Sequence, residues 1–419
     1  MKTDQIQKVH KDWYKLDLSA IVYPTLQRRD FSSVYRLSVL LKEDIDPEIL
    51  QRAVNLTMPR FPTYKAAIRK GVFWRYLEPN DRPGPFVQED VKNPCQPMHF
   101  KGNNRYLVRI YYYRNRIALE AHHSLGDGTG GMCVLQTLTA TYLRLKGHSE
   151  IENGGFVLDI LGIPDPGELE DAYMKYANAK VCPPRPGEKT YRVRGTKEPF
   201  YTLNIIDGIM SVSEVMRVAK SYNATITEYL NSVLLYALMQ KQESEWHLKL
   251  RPVKIAMPVN LRRFFPSRTL RNFITMIYPG IDPRLGEYTF EEIVTQVHNY
   301  MRYYLNEKLL RGDITTNAET QRNPFIRIVP LFIKDLVVRQ FYTKIQDKNS
   351  SAGLTNMGAL KVPETMKPYI ERFDIYMGQP FSTRTNCAIA SFEDILTINF
   401  ASSIAETDVE RLFFRKLVQ

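Results

Sequence analysis

The sequence predicts an α+β protein built from two halves, because helix-like and strand-like stretches alternate throughout its 419 residues. That length exceeds one ordinary core and suits about two domains of roughly 150–200 residues each. Asp46-Pro47 marks a helix start, since Asp46 can cap the first turn and Pro47 fits within it. The stretch before Arg114 is aromatic and β-branched, and Arg116–His122 runs back from it as the second strand of a hairpin. Each half is therefore expected to hold a mixed sheet with flanking helices.

A segment rich in proline and glycine divides the chain. Pro164, Pro166 and Pro183-Pro184 interrupt any regular pattern between residues 147 and 200. Such a composition is typical of a connection between domains. We therefore expect an N-terminal half over residues 1–165, a crossover linker over residues 166–200 and a C-terminal half over residues 201–419.

Short polar motifs mark helix starts in the second half. Thr289-x-x-Glu292 is a capping box, and it predicts a helix that reaches about Leu310. Asn323-Pro324 predicts a further helix that reaches about Tyr342.

The composition is that of an ordinary soluble globular protein, with 44% hydrophobic and 24% charged residues. No run of about 18 apolar residues occurs, which excludes a membrane-spanning helix. The first residues lack the apolar stretch of a signal peptide, so we expect a cytoplasmic protein. The cysteines are scattered and form no Cys-x-x-Cys pair, which favours buried, unreactive thiols over a disulfide framework or a zinc site. They are Cys95, Cys133, Cys182 and Cys387.

Positive charge is concentrated in one segment of a chain whose net charge is +12. Residues 249–271 include seven basic residues and no acidic one: Lys249, Arg251, Lys254, Arg262, Arg263, Arg268 and Arg271. A solvated basic face is one interpretation, and attraction of a phosphate-rich small molecule is another. Nucleic acid is not expected as a partner, because no nucleic-acid-binding motif accompanies the segment.

One stretch stands out, from Ala121 through His122, His123 and Asp127 to Gly128. The chain has only seven histidines. Two adjacent ones followed at this spacing by Asp-Gly would arise by chance on the order of 10⁻³ times or less. Side chains alternate along a strand, so the two histidines should face opposite sides, which argues against a metal site shared by both. The alternative interpretation is that both are ordinary core residues.

The same stretch suits proton transfer, because an imidazole titrates near neutral pH. Asp127 lies across a turn from His123 and could fix the loop through backbone N–H groups or a basic partner. Gly126, Gly128 and Gly130 are expected to give the loop unusual backbone angles and to leave room for a ligand. An amphipathic helix is predicted to follow, over residues 132–145.

The pattern His122-His123-x-x-x-Asp127-Gly128 resembles the HHxxxDG signature of the chloramphenicol-acetyltransferase-like superfamily. That superfamily includes condensation domains of peptide synthetases, polyketide-associated acyltransferases and alcohol acetyltransferases. Four further stretches, spread over most of the chain, resemble its free-standing alcohol-acetyltransferase-like branch. They are Trp13-Tyr-Lys-Leu-Asp17, Arg60-Phe61-Pro62, Pro258-Val-Asn-Leu-Arg262 with Asn272-Phe273, and Thr355-Asn356-Met357-Gly358. The DFGWG segment of the plant branch does not occur in the sequence.

The resemblance implies two pseudo-symmetric halves, each like one chloramphenicol acetyltransferase subunit, with an active-site tunnel between them. It implies that His123 is the general base, that Asp127 supports the site by pairing with Arg262, and that Gly128 completes the catalytic motif. Substrate contacts are expected from His122, Arg262, Thr355 and Asn356, the last two as donors to the developing oxyanion. No metal and no cofactor is implied; acyl-CoA or acyl-pantetheine is the co-substrate.

The leading hypothesis is an acyltransferase that moves an acyl group from a thioester donor, acyl-CoA, to a small-molecule alcohol. One alternative is a free-standing condensation-type enzyme that forms amides from acyl groups on an acyl carrier protein. Another is a non-catalytic binding protein on the same fold. Because a two-halved chain already supplies both halves of its site, a monomer is expected.

Overall fold

The structure of the protein is a computed structural model that describes residues 13–27, 31–180, 188–245, 247, 249–378 and 383–419. Strands and helices alternate along these residues, so the predicted α+β class is confirmed. Cys95, Cys133 and Cys387 are buried free thiols, as predicted. Cys182 and the predicted interruption at Pro183-Pro184 lie outside the described residues.

The described chain forms fifteen strands and eleven α-helices. In chain order the strands are β1 (Tyr14–Lys15), β2 (Val34–Leu41), β3 (Ala66–Lys70), β4 (Arg75–Pro79), β5 (Val87–Glu89), β6 (Val108–Tyr113), β7 (Arg116–His122), β8 (Asn204–Ser211), β9 (Val253–Asn260), β10 (Ile274–Ile277), β11 (Gly280–Ile281), β12 (Ala352–Ala359), β13 (Ile370–Met377), β14 (Thr385–Phe392) and β15 (Ile395–Ser402). The helices are α1 (Tyr23–Leu26), α2 (Pro47–Thr57), α3 (Gly128–Leu145), α4 (Ala172–Tyr176), α5 (Val212–Ser221), α6 (Ile226–Ser244), α7 (Phe290–Tyr304), α8 (Glu307–Arg322), α9 (Pro324–Ile328), α10 (Leu331–Asn349) and α11 (Asp408–Leu417).

A five-stranded sheet, in the order β13-β2-β7-β6-β5, carries the strand that ends at His122. In it β2 and β7 pair antiparallel, with Val34 opposite His122. The predicted hairpin is confirmed as β6 and β7, which also pair antiparallel. Arg114 makes the turn between them with a positive φ of 49°.

A second, seven-stranded sheet has the order β10-β9-β12-β14-β15-β8, with β11 also paired to β9. Its centre is parallel, because β12 runs parallel to both β9 and β14. A third sheet of three strands has the order β1-β4-β3. The five-stranded and seven-stranded sheets are both mixed, because β5 also runs parallel to β6, and the three-stranded sheet is antiparallel.

Two hydrophobic cores meet at strand β14. Ala388 and Ala390 pack in the core that contains β2, β7 and α3. Cys387 and Ile389 pack in the core that contains α6, β9 and α11. Because successive side chains of a strand point to opposite faces, β14 contributes one face to each core. This strand therefore joins the two cores into one structure.

Strand β13 lies in the predicted C-terminal half but completes the sheet of the N-terminal part. It pairs with β2 along its length, with Ile375 opposite Leu37 and Met377 opposite Tyr35. The two largest sheets are therefore not each built from one continuous half of the chain. The division at residues 165 and 200 stays a prediction.

Helix α7 begins as predicted and ends early. Both hydrogen bonds of the predicted capping box at Thr289 are present. The helix ends at Tyr304 instead of about Leu310, because Asn306 caps a new helix by accepting from the backbone N–H of Leu309.

The prediction of a single helix from Asn323 to about Tyr342 is wrong, because this stretch forms two helices. Pro324 begins α9, which ends at Ile328. Pro330 follows with an extended backbone and precedes α10. Proline has no backbone N–H to donate within a helix, so the break falls there.

Candidate active site

His123 follows the last residue of β7 and precedes α3, so it lies where the five-stranded sheet meets a helix start. Its backbone N–H donates to the carbonyl of Ser33. Its ring stacks on Tyr23, with centroids 4.7 Å apart and planes inclined by 21°. Tyr35 contacts the ring as well, at a centroid distance of 4.6 Å. The ring is therefore fixed between two tyrosines.

The charge state of His123 follows from these surroundings. Burial lowers its pKa to about 4, although the charge of Asp127 acts in the opposite direction. Its Nδ1 is sealed from solvent, while the residue as a whole stays half-buried. The imidazole is therefore neutral at pH 7 and can accept a proton.

His122 lies in a different environment, fully buried against the edge of Phe100. Its Nδ1 accepts a hydrogen bond from the backbone N–H of Ser124. Burial lowers its pKa to about 3. The two histidines thus have separate neighbours, and no group of three or more His, Cys, Asp or Glu side chains among the described residues is placed to hold a metal ion.

Asp127 caps α3 and carries the predicted ion pair. One carboxylate oxygen accepts from the backbone N–H groups of Thr129 and Gly130 at 3.1 and 3.2 Å. The other accepts from Arg262 at 2.8 Å and from the backbone N–H of Phe273 at 2.9 Å. The carboxylate is almost fully buried, and its hydrogen bonds go to backbone N–H groups and to Arg262 and not to the His123 ring. Asp127 therefore shapes the site.

Arg262 joins this helix start to the seven-stranded sheet. Besides Asp127 it donates to the carbonyls of Thr269 and Arg271 and to the side chain of Asn260. Asn260 in turn donates to Thr129 at 3.2 Å. The arginine is 11% exposed and fully used by these contacts. Its predicted pairing is present, and its predicted contact with substrate stays a prediction.

Asn272 and Asp17 form a second support that sequence reasoning did not assign to the site. The Asn272 amide donates to the backbone carbonyl of His123 at 2.9 Å and to both oxygens of Asp17. Burial raises the pKa of Asp17, with the charge of Arg271 opposing it. Both residues stand in the stretches that resemble the superfamily, which is the only sequence signal that could have found them. Tyr23 and Tyr35 carried no such signal.

The glycines of the motif do something different from what was predicted. Gly128 and Gly130 lie in the first turn of α3, which begins at Gly128 instead of residue 132. Positive φ values in the described residues occur at other glycines. A Cβ at Gly126 would lie 2.4 Å from the carbonyl oxygen of Leu270, and one at Gly130 would lie 1.9 Å from it. The space beside Gly126 and Gly130 is thus occupied by the carbonyl of Leu270 and the hydroxyl of Tyr64.

Thr355 and Asn356 lie on β12, which passes over the same helix start. A Cβ at Gly128 would lie 3.0 Å from the sulfur of Met357. The Asn356 amide donates to Thr227 at 2.9 Å, and its oxygen accepts from the backbone N–H of Gly358. Asn356 is therefore engaged within the protein. Contact of either residue with an oxyanion stays a prediction.

Two cavities are described, and His123 lines neither of them. One of about 570 Å³ lies among α5, α6 and α7, with Lys220, Thr225, Glu228, His298 and Arg302 in its wall. The other, of about 230 Å³, includes five cationic side chains: Arg192, Arg194, Lys249, Arg251 and Arg384. The predicted tunnel beside His123 stays a prediction.

The basic segment at residues 249–271 is not one solvated face. Arg262 and Arg271 are buried or nearly so, and they pair with Asp127 and Asp17. Arg268 is exposed and pairs with Asp165. Buried ion pairs fix neighbouring elements, so part of the positive charge serves the fold.

The sequence matches no protein-family model and no curated protein. Its fold, however, matches solved structures of chloramphenicol-acetyltransferase-like condensation domains and acyltransferases over nearly the whole chain, which confirms the predicted resemblance at the level of fold.

Three of these structures show the extent of the match. Polyketide synthase associated protein 5 from Mycobacterium tuberculosis is 13% identical with a TM-score of 0.60, and 96% of each chain is covered. Trichothecene 15-O-acetyltransferase from Fusarium sporotrichioides is 13% identical with a TM-score of 0.60, covering 97% of this chain and 93% of that one. A double mutant of the starter condensation domain of rhizomide synthetase, solved with C8-CoA and Leu-SNAC, is 12% identical with a TM-score of 0.61, covering 99% of this chain and 95% of that one.

Proposed function

We propose that the protein is an acyltransferase that moves an acyl group from acyl-CoA to an alcohol, with His123 as the general base. The observation that carries the proposal is the His123 ring, which is half-buried, held between Tyr23 and Tyr35, and kept neutral by a pKa of about 4. Two of the structures that share the fold are an O-acetyltransferase and a domain that binds an acyl-CoA.

The proposed reaction needs one proton acceptor and no metal. His123 takes the proton of the acceptor hydroxyl as its oxygen attacks the thioester carbon. When the carbon–sulfur bond breaks, the imidazolium returns the proton to the leaving thiolate, which gives an ester and free thiol. Asp127 and Asn272 hold the backbone around the ring, so their roles are to position it. Thr355 is the proposed donor to the oxyanion.

The cavity of about 570 Å³ is the proposed site for the phosphates of the donor. Lys220 and Arg302 supply positive charge there. Glu228 also lines it; its carboxylate accepts from the N–H and hydroxyl of Thr225 and lies 3.2 Å from Nδ1 of His298, so one negative charge faces the two cations. The cavity can therefore attract anions.

Contacts connect this cavity to the start of α3. Thr227, two residues beyond Thr225 of the cavity wall, accepts a hydrogen bond from the Asn356 amide. The next residue, Met357, packs on Gly128 at the start of α3. A pantetheine arm that follows β12 would therefore lead from the cavity towards His123.

Replacing Arg302 tests the donor site, because Arg302 is exposed in the cavity wall and its loss should not unfold the chain. For Arg302→Gln we expect KM for acyl-CoA to rise about tenfold, since a charge-assisted hydrogen bond to phosphate is lost. KM for an acyl-N-acetylcysteamine donor, which lacks phosphates, should not change. Steady-state thiol release with both donors measures this.

Arg217→Gln is the matched control, because Arg217 is an exposed arginine of α5 that pairs with Glu214 away from the cavity wall. An equal rise in KM for both donors, or the same rise in the control, would contradict the assignment.

A condensation-type reaction is the second candidate, because the starter condensation domain matches the chain as well as the acetyltransferase does. In this case the acceptor is an amine and the donor is bound to a carrier protein. Assays that pair alcohols or amines with CoA or carrier donors separate the two candidates. A protein that binds these donors without thiol release would instead be a non-catalytic member of the fold.

A further inference from the structure

Helices α9 and α10 carry their apolar side chains on the outside. Phe325 is 77% exposed, Phe332 73% and Leu336 60%, with Ile328 and Val337 similarly open. A helix on the surface of a soluble protein normally turns its apolar side to the core. In α9 and α10 large apolar side chains face the solvent instead.

The polar side of α10 faces the protein instead. Asp335 forms an ion pair with the buried Arg75 of β4 and accepts from the hydroxyl of Thr25. One turn on, Arg339 donates to the carbonyl of Thr25. These partly buried polar contacts fix the rotation of the helix, so the apolar side cannot turn inward without breaking them.

The turn between β3 and β4 extends the exposed apolar region. Its backbone accepts from α10, through Leu331 to the carbonyl of Val72 and through Lys334 to the carbonyl of Phe73. Val72 is 71% exposed and Trp74 51%. The apolar surface is therefore Val72, Trp74, Phe325, Ile328, Phe332, Leu336 and Val337.

Positive charge frames the apolar surface. Between Glu319 and Asp335 the chain has three basic residues and no acidic one. One of the three, Arg327, is exposed within α9. A further cation outside this stretch, Lys70, is exposed at the end of β3 next to the turn. Large apolar side chains that include tryptophan, flanked by cations, are what an interfacial helix presents to anionic lipid.

We propose that the apolar surface docks on an anionic lipid surface, with Phe325, Phe332 and Leu336 among the acyl chains and with Arg327 and Lys70 at the headgroups. Apolar contacts supply the affinity and the cations select negatively charged lipid. The segment lies on the membrane and does not cross it, because no helix in the described part of the chain is long and apolar enough to span a bilayer.

Hydrogen bonds connect α10, which carries part of the apolar surface, to α1 beside His123. Asp335 accepts from the hydroxyl of Thr25 in α1, and Arg339 donates to the carbonyl of Thr25. The first residue of that four-residue helix is Tyr23, which stacks on His123. Docking would therefore place lipid on the outer side of the element that covers the catalytic ring.

Co-sedimentation with vesicles of equimolar phosphatidylcholine and phosphatidylserine tests the proposal. We expect the full-length protein to sediment with these vesicles and much less with phosphatidylcholine alone. The combined Phe325→Ser, Phe332→Ser and Leu336→Ser variant should lower the partition coefficient about tenfold or more. Arg327→Glu and added salt should each weaken binding. Because the replaced side chains are exposed, unchanged circular dichroism is expected.

Leu161→Ser with Leu285→Ser is the control, since these leucines are 90% and 80% exposed at other places. The proposal is overturned if the triple variant sediments like the wild type, if the control loses as much binding, or if the wild type does not sediment. It is also overturned if the wild type forms a dimer that the triple variant abolishes, because the surface would then join two copies of the chain. Acyl transfer in detergent-free solution does not depend on these results.

Discussion

The expected chemistry of His123 depends on residues that hold the ring and its backbone. Two tyrosines contact the ring, and Asn272 binds the backbone carbonyl. The Asp127 carboxylate accepts hydrogen bonds from the start of α3 and from Arg262, so it acts on His123 only through its charge and through the shape of the loop. Loss of Asp127 should therefore affect stability first and proton transfer second.

Asp127→Asn keeps the shape of the helix cap but removes the charge that faces Arg262. Removing one partner of a buried ion pair costs about 3–5 kcal/mol, so the free energy of unfolding should fall by that amount. Urea unfolding followed by circular dichroism measures it. Asp165→Asn is the control, because Asp165 also caps a helical turn and pairs with an arginine, but in solvent. Its loss should cost about 1 kcal/mol or less. Equal losses in the two variants would contradict the role assigned to Asp127.

The lowered pKa of His123 predicts the acid limb of activity. A free-enzyme base with a pKa of about 4 stays neutral down to that pH, so kcat/KM should be constant from neutral pH to about pH 5 and fall below it. An acid limb centred near pH 6.5, the ordinary value for histidine, would contradict the predicted environment. Initial thiol-release rates across this range measure the limb.

The same pKa values limit the range in which that assay is valid. In the unfolded chain both histidines would bind protons below about pH 6.5, whereas the folded pKa values are about 3 for His122 and about 4 for His123. The unfolded state therefore binds more protons as pH falls, and the free energy of unfolding decreases from about pH 6.5 downward. Circular dichroism at each pH confirms that the enzyme assayed is folded.

At the scale of elements, the first turn of α3 is packed closely against the loop that follows β9. Glycine there permits contacts that any side chain would block, most severely at Gly130 against the Leu270 carbonyl. That loop also holds Arg262 and Asn272, which contact Asp127 and the His123 carbonyl. The glycines of the motif thus bring the ion pair together.

Gly130→Ala should destabilise the protein, although alanine is about 1 kcal/mol better than glycine in a helix interior. The new Cβ would lie 1.9 Å from the backbone oxygen of Leu270, so the loop must move. We expect a net loss of about 1–3 kcal/mol or more, as for other overpacked sites, together with reduced activity. Gly102→Ala is the control, because its Cβ would meet nothing closer than 3.4 Å. Unchanged melting of Gly130→Ala would contradict the packing described.

At the scale of the whole molecule, local signals in the sequence were sufficient for the fold class and for the motif. Capping residues predicted the start of α7, and β-branched residues predicted the β6–β7 hairpin. The resemblance of the motif implied the Asp127–Arg262 pair, which is present. These features depend on neighbours in sequence or on spacing within one motif.

Long-range pairing could not be predicted in the same way. The insertion of β13 beside β2 leaves no periodic signal, because either strand would look the same beside another partner. The stacking of Tyr23 on His123 likewise depends on how α1 folds back over the sheet. The helix start at Gly128 was missed because glycine is a poor helix former, and close packing against Leu270 outweighs that preference here.

Release of free thiol from a panel of acyl-CoA donors in the presence of alcohols, compared between the wild type and His123→Ala, tests the central claim most directly. His99→Ala serves as the control, because His99 is exposed and distant in sequence from the motif. We predict that His123→Ala lowers turnover about 10²–10⁴-fold with an unchanged melting temperature, and that the control keeps full activity. Equal turnover by the wild type and His123→Ala would contradict the assignment of His123 as the general base.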